Sequence, residues 1–103
     1  MPDLNPTPWP LVQVTLDVYR LPREGELERI HTLAASLIGV KPIRTTLWWS
    51  VSERSAQPVI LITWLRAELT PVQLAVIEED DGDEIYTALS SGGFKGLFYP
   101  EDA

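Results

Sequence analysis

Six carboxylates stand within seven residues, at Glu78, Glu79, Asp80, Asp81, Asp83 and Glu84, with no base among them. A cluster of this kind could hold a hard divalent cation or present a negative surface to a basic partner. An EF-hand loop with Gly82 at its sixth position needs an acid at the first position and a Glu at the twelfth. Those places hold Ile77 and Ala88, so the anchoring ligands are missing. A looser Ca²⁺ or Mg²⁺ site built from Glu79, Asp81 and Asp83 has no spacing rule behind it, and no metal or cofactor is expected. The run is predicted to fall at the C-terminal end of a helix, where the helix dipole disfavours acids. Acids kept at an unfavourable place point to a partner, and the six carboxylates are candidate contacts for a basic one.

The other reactive side chains offer less. His31 is the sole histidine. It falls at the edge of a helical apolar face with no acid placed to orient it, and is expected to cover apolar surface rather than act as a base. Ser90-Ser91-Gly92-Gly93 lacks the G-x-S-x-G elbow, and Phe94-Lys95-Gly96 after the glycine pair does not read as the helix start a phosphate cradle needs. The chain has no cysteine, which excludes disulfides, thiolate metal sites and cysteine nucleophiles. No enzymatic activity is expected, and a reducing, cytoplasmic setting is the default.

These residues sit on elements legible from pattern. Leu11–Leu21 alternates, with Val12, Val14, Leu16 and Val18 inward, and reads as a strand. Pro22–Gly39 carries Leu27, Ile30, Leu33, Ala34, Leu37 and Ile38 at helical spacing, with Gly39 at the C-cap and Pro42 beyond it. Thr45–Leu65 holds three of the four tryptophans and reads as a hairpin: strands Thr45–Glu53 and Pro58–Arg66 around a turn at Arg54-Ser55-Ala56-Gln57. Its second strand is apolar on both faces and belongs in the middle of a sheet. Thr70-Pro71-Val72-Gln73 is a capping box with proline at the first helical position, so a helix is predicted over Pro71–Asp80, with Leu69 and Leu74 as its staple. Asp81-Gly82 could instead turn a hairpin, but that would leave the cap, the proline and the staple unexplained. Glu84–Leu89 is then either a short last strand or a second helical turn, of which the strand is preferred.

The order β-α-β-β-α-β predicts a ferredoxin-like α+β sandwich, a four-stranded antiparallel sheet with two helices on one face. A chain of 103 residues is one domain. It divides into a proline-rich arm over 1–10 that carries Trp9, the α+β domain over 11–91, and an apolar tail over 92–103 that docks on the domain or on a partner. No stretch is long enough to span a bilayer, and no secretory signal is visible. The net charge is −7, but outside the acidic run nine acids face eight bases. A negative field of this kind repels nucleic acid and anionic membrane. An RNA-recognition module would also need aromatics on its outward strand positions, and of Gln13, Thr15, Asp17 and Tyr19 only the last qualifies.

One sheet face is left without helices. Counting across a four-residue loop pairs Trp49 with Ile62 and Leu47 with Trp64 on the core face. The free face then carries Trp48, Val59, Leu61 and Leu65, with Tyr19 nearby. A one-residue change in the loop would bring Trp64 to it instead. An apolar stripe on that face marks an interface unless Trp9 or Phe94–Tyr99 covers it. Trp48, Leu61, Trp64 and Tyr19 are therefore candidate partner-binding residues. The predicted function is a small acidic binding module acting through protein–protein contacts and associating with itself through the sheet. Two further possibilities are an acidic inhibitor or nucleic-acid mimic presenting Glu78–Glu84 to a basic cleft, and a dimeric α+β barrel with a ligand pocket lined by Trp48 and Trp64.

Overall fold

In the computed structural model, residues 10–78 and 82–100 are described. Strand β1, Leu11–Asp17, alternates exposed and buried side chains along its whole length, because it lies on the core by one face only. Helix α1, Glu26–Ile38, follows a left-handed turn at Gly25 and ends on Gly39, whose N–H bonds the Ala35 carbonyl at 2.8 Å. The predicted C-cap glycine is therefore present, while the helix starts four residues later than its apolar pattern suggested. Strands β2, Arg44–Val51, and β3, Ala56–Leu65, form the hairpin. β3 is the central strand, antiparallel to both neighbours, in the order β1-β3-β2.

After a single 3₁₀ turn at Arg66–Glu68 comes α2, Pro71–Glu78. Both halves of its capping box are formed. The Gln73 N–H donates to Thr70 Oγ1 at 3.2 Å, and the Thr70 N–H donates to Gln73 Oε1 at 2.8 Å. Leu69 and Leu74 pack against the core as the staple requires. The Gln73 side chain also donates to the Ile38 carbonyl at 3.0 Å, which ties the start of α2 to the end of α1.

The expected fourth strand does not form. Glu84–Leu89 lies inside a third helix, α3, Asp83–Ser90. Ile85 and Leu89, four apart, are both buried, whereas Thr87 between them is exposed. That is a helical face; a strand would have buried all three. Gly82 at φ 78° opens the helix, and a side chain there would stand 2.7 Å from Val14 Cγ1. The chain is thus α+β with three strands and three helices among the described residues, and the four-stranded ferredoxin-like sandwich is incorrect.

The core lies between the sheet and the helices. Val12, Val14, Leu16, Ile60, Ile62 and Trp64 supply the sheet side, and Ile30, Ala34, Ile77, Ile85 and Leu89 the helix side. Phe94, Leu97 and Phe98 are fully buried in this same core. The rings of Phe94 and Phe98 meet edge to face at 5.8 Å, and Tyr86 donates its hydroxyl to the Phe98 carbonyl. The Tyr19 N–H bonds the Leu97 carbonyl at 2.7 Å, fixing this segment to the end of β1. Phe94–Phe98 is therefore used on the helix side and does not cover the free sheet face. Trp9 lies outside the described residues.

Candidate functional site

The geometry of the hairpin decides which side chains reach the surface. Its loop is Ser52–Ser55, two residues earlier than predicted, closed by the Ser52 N–H on the Ser55 carbonyl at 2.8 Å. Trp49 consequently opposes Pro58, and Leu47 opposes Ile60. Each tryptophan keeps its predicted face, because the pairing slips by an even number of residues and the side-chain period is two. Pro58 sits within β3 rather than at its start. It is tolerated because β1 pairs with β3 only as far as Asp17 opposite Val59, so beyond Val59 the second side of β3 has no strand to bond.

The outer hairpin, Trp49–Val51 with Ala56–Pro58, is consequently a two-stranded ribbon standing past the three-stranded sheet. Here the large apolar side chains emerge. Trp48 is 62% exposed on the face without helices, and Trp49 at 48% and Val51 at 75% are exposed on the opposite face. Trp49 was expected in the core; the ribbon carries it beyond. Tyr19, two residues past β1, is 62% exposed.

The rest of the free face is less apolar than its sequence suggests. Val59 lies between Asp17 and Trp48 and is buried, and Thr63 lies between Gln13 and Arg44 and is buried. Gln13 Nε2 donates to Thr63 Oγ1 at 3.1 Å, closing part of the face with a polar bond. Leu61 is half-buried. Short side chains on a central strand are shielded by longer ones on both flanks, which a one-strand count does not register. Trp64 is fully buried on the helix-backed face, its indole N–H donating to the Val40 carbonyl at 2.8 Å. It is a core residue, and Trp48 and Trp64 do not line a common pocket.

The acidic run is divided. Glu78 closes α2 and pairs with Arg66 at 3.1 Å. Asp83 and Glu84 occupy the first turn of α3, where the helix dipole favours negative charge. They have the stability role that the sequence, read with a strand in this place, did not supply. Glu79, Asp80 and Asp81 lie outside the described residues. No group of three or more His, Cys, Asp and Glu side chains converges among the described residues.

One charged cluster escaped sequence reasoning. Arg20 forks onto Glu26, with Nη1 to Oε1 at 2.7 Å and Nη2 to Oε2 at 2.8 Å. The same guanidinium donates to the carbonyls of Leu21 and Lys95. It therefore joins the end of β1, the start of α1 and the C-terminal segment. Hydrogen bonding by Arg20 is the largest influence on the Glu26 carboxyl, and the Arg23 N–H adds to it. Against the opposing effect of burial they hold its pKa at about 2. No motif announces the cluster: Arg20, Leu21, Arg23 and Glu26 are close in sequence but at a spacing with no standard meaning, and Lys95 is far away.

His31 lies within α1 at the edge of its buried face, its Nδ1 2.9 Å from Thr45 Oγ1. Both line a groove of about 390 Å³ between α1 and β2, together with Leu27, Glu28, Thr32 and Lys41. No described helix is long and apolar enough to cross a membrane. No family model matches the chain, and no curated protein or solved structure is significantly similar to it.

Proposed function

We propose that the chain is a small non-enzymatic binding module that works through protein–protein contact and associates with itself through the hairpin side of its sheet. One observation carries this: Trp48, at the last three-stranded position of the sheet, and Trp49 and Val51, on the opposite face of the ribbon that continues it, are all exposed along β2, which has no further strand beside it among the described residues. Large apolar groups exposed on both faces of one strand favour an interface that takes in its edge, and aromatic anchors supply much of the energy of such contacts. The one strongly perturbed carboxyl among the described residues, that of Glu26, belongs to a structural bridge with Arg20 and not to an open cleft. The acidic-mimic alternative has less support, because Asp83 and Glu84 stabilise α3 and Glu78 is paired. A reducing, cytoplasmic setting suits a chain without cysteine and is part of the proposal.

Light scattering during size exclusion tests it. The wild type is expected at twice the 11.6 kDa chain mass. Trp48→Lys is expected as a monomer with an unchanged circular dichroism spectrum, since a lone charge in an apolar contact costs several kcal/mol. Trp49→Lys should also fold, because Trp49 is half exposed. A wild type that stays monomeric at hundreds of micromolar would refute self-association.

A further inference from the structure

We infer that two copies pair β2 with β2 in antiparallel register about a two-fold axis at Trp48. The result is one six-stranded sheet in which the outer hairpin of each copy lies against α1 of the other. This rests on the self-association proposed above and specifies its geometry.

The two edges of the sheet are unequal. A helix lies against each edge strand, α2 on β1 and α1 on β2, but β1 presents the polar Gln13, Thr15 and Asp17 on its exposed face. β2 from Thr45 to Val51 contains no charge, proline or glycine. Such an edge is a template for another strand, and proteins that expose one usually protect it. Beyond Pro58 the hairpin has only two strands, an arrangement of marginal stability in water. A third strand laid on β2 would support the outer hairpin where its own sheet has ended.

Self-complementarity selects the register. A two-fold axis perpendicular to the sheet keeps each side chain on its own face, so only pairings of like parity are allowed. Centred on Trp48, the pairing sets Trp48 opposite its own copy and Thr46 opposite Ser50 on the free face. On the other face Leu47 meets Trp49 and Thr45 meets Val51. No like charges oppose one another, whereas centring on Trp49 would set Arg44 opposite Arg54. The chosen register also places Val51 of one copy beside Thr45 of the other, which is in the wall of the α1–β2 groove. The groove thus receives the exposed apolar tip of the second copy, reciprocally.

Charge and area agree with this arrangement. Glu78 lines the grooves along β1, and Asp83 and Glu84 follow Gly82 beside Val14 of that same strand. Pairing through β2 keeps these acids at opposite ends of the dimer. Trp48, Trp49 and Val51 expose roughly 400 Å² between them, about half of the ~800 Å² per partner that a stable interface buries. The strand edge and the α1 groove provide the remainder.

Disulfide trapping tests the register, because the chain has no cysteine of its own. Thr46→Cys and Ser50→Cys variants, differently tagged, are mixed under a mild oxidant after circular dichroism has shown each to be folded. A mixed disulfide is expected at least ten-fold faster than either self-disulfide, since like positions lie four strand residues apart, about 13 Å. Thr45→Cys with Val51→Cys should show the same preference on the other face and serves if the first pair does not fold. Equal rates for mixed and unmixed samples would overturn the register. So would the absence of any disulfide in a wild-type background that light scattering shows to be dimeric, and in that case self-association stands without this geometry. A monomeric wild type removes both.

Discussion

Arg20 and Gly82 show how much of this fold rests on single side chains. Arg20 gathers three parts of the chain through Glu26, Leu21 and Lys95. Because the Glu26 pKa falls from the ordinary 4.5 to about 2, its contribution to stability is fully present above pH 4.5. It is lost as the pH drops toward 2 and the carboxylate binds a proton. Glu26→Gln should cost about 2 kcal/mol at neutral pH, and between pH 4.5 and 2 its stability should fall less steeply than that of the wild type, as read by urea denaturation. Identical acid slopes would show that the bridge contributes nothing. Gly82 and Gly25 both have positive φ, but a Cβ at Gly25 meets nothing within 4 Å, whereas one at Gly82 meets Val14. Gly82→Ala should therefore destabilise more than Gly25→Ala, by roughly 1–3 kcal/mol of overpacking. Equal losses for the two would mean that Gly82 does not press on β1.

Elements whose signals are local were legible in the sequence. The capping box at Thr70 and Gln73 involves residues three apart and forms as the residue types require. Thr70→Ala should cost about 1 kcal/mol and Thr70→Asp almost nothing, with equal losses in denaturation arguing against the cap. Gly39 ends α1 for a similar local reason. The segment Glu84–Leu89 fits a short strand or a helical turn by sequence, and the strand preferred there is the helix α3. Its i, i+4 pair Ile85 and Leu89 and its two leading acids were the better guide. The hairpin is legible in the sequence, its loop lies two residues before the turn expected there, and the faces hold because the register slips by an even number.

The whole molecule depends on contacts that no single stretch encodes. Phe94, Leu97 and Phe98 fill the core beneath the helices, so the free sheet face is shielded by its own flanking side chains and not by the C-terminal segment. Trp64 was a candidate contact and is core, while Trp49 was a candidate core residue and is half exposed. The exposure of Trp49 follows from where β1 stops pairing, and the burial of Trp64 opposite Val12 from the parity of the hairpin register. Trp48 keeps both its predicted face and its predicted exposure. That leaves the ribbon and the β2 edge as the surface on which the proposed association depends. Amide hydrogen exchange at several protein concentrations examines it most directly. Protection across Arg44–Val51 should rise with concentration, in step with the dimer mass, while protection along Leu11–Asp17 stays constant. Concentration-independent exchange in β2, or a rise confined to β1, would contradict an interface at the hairpin.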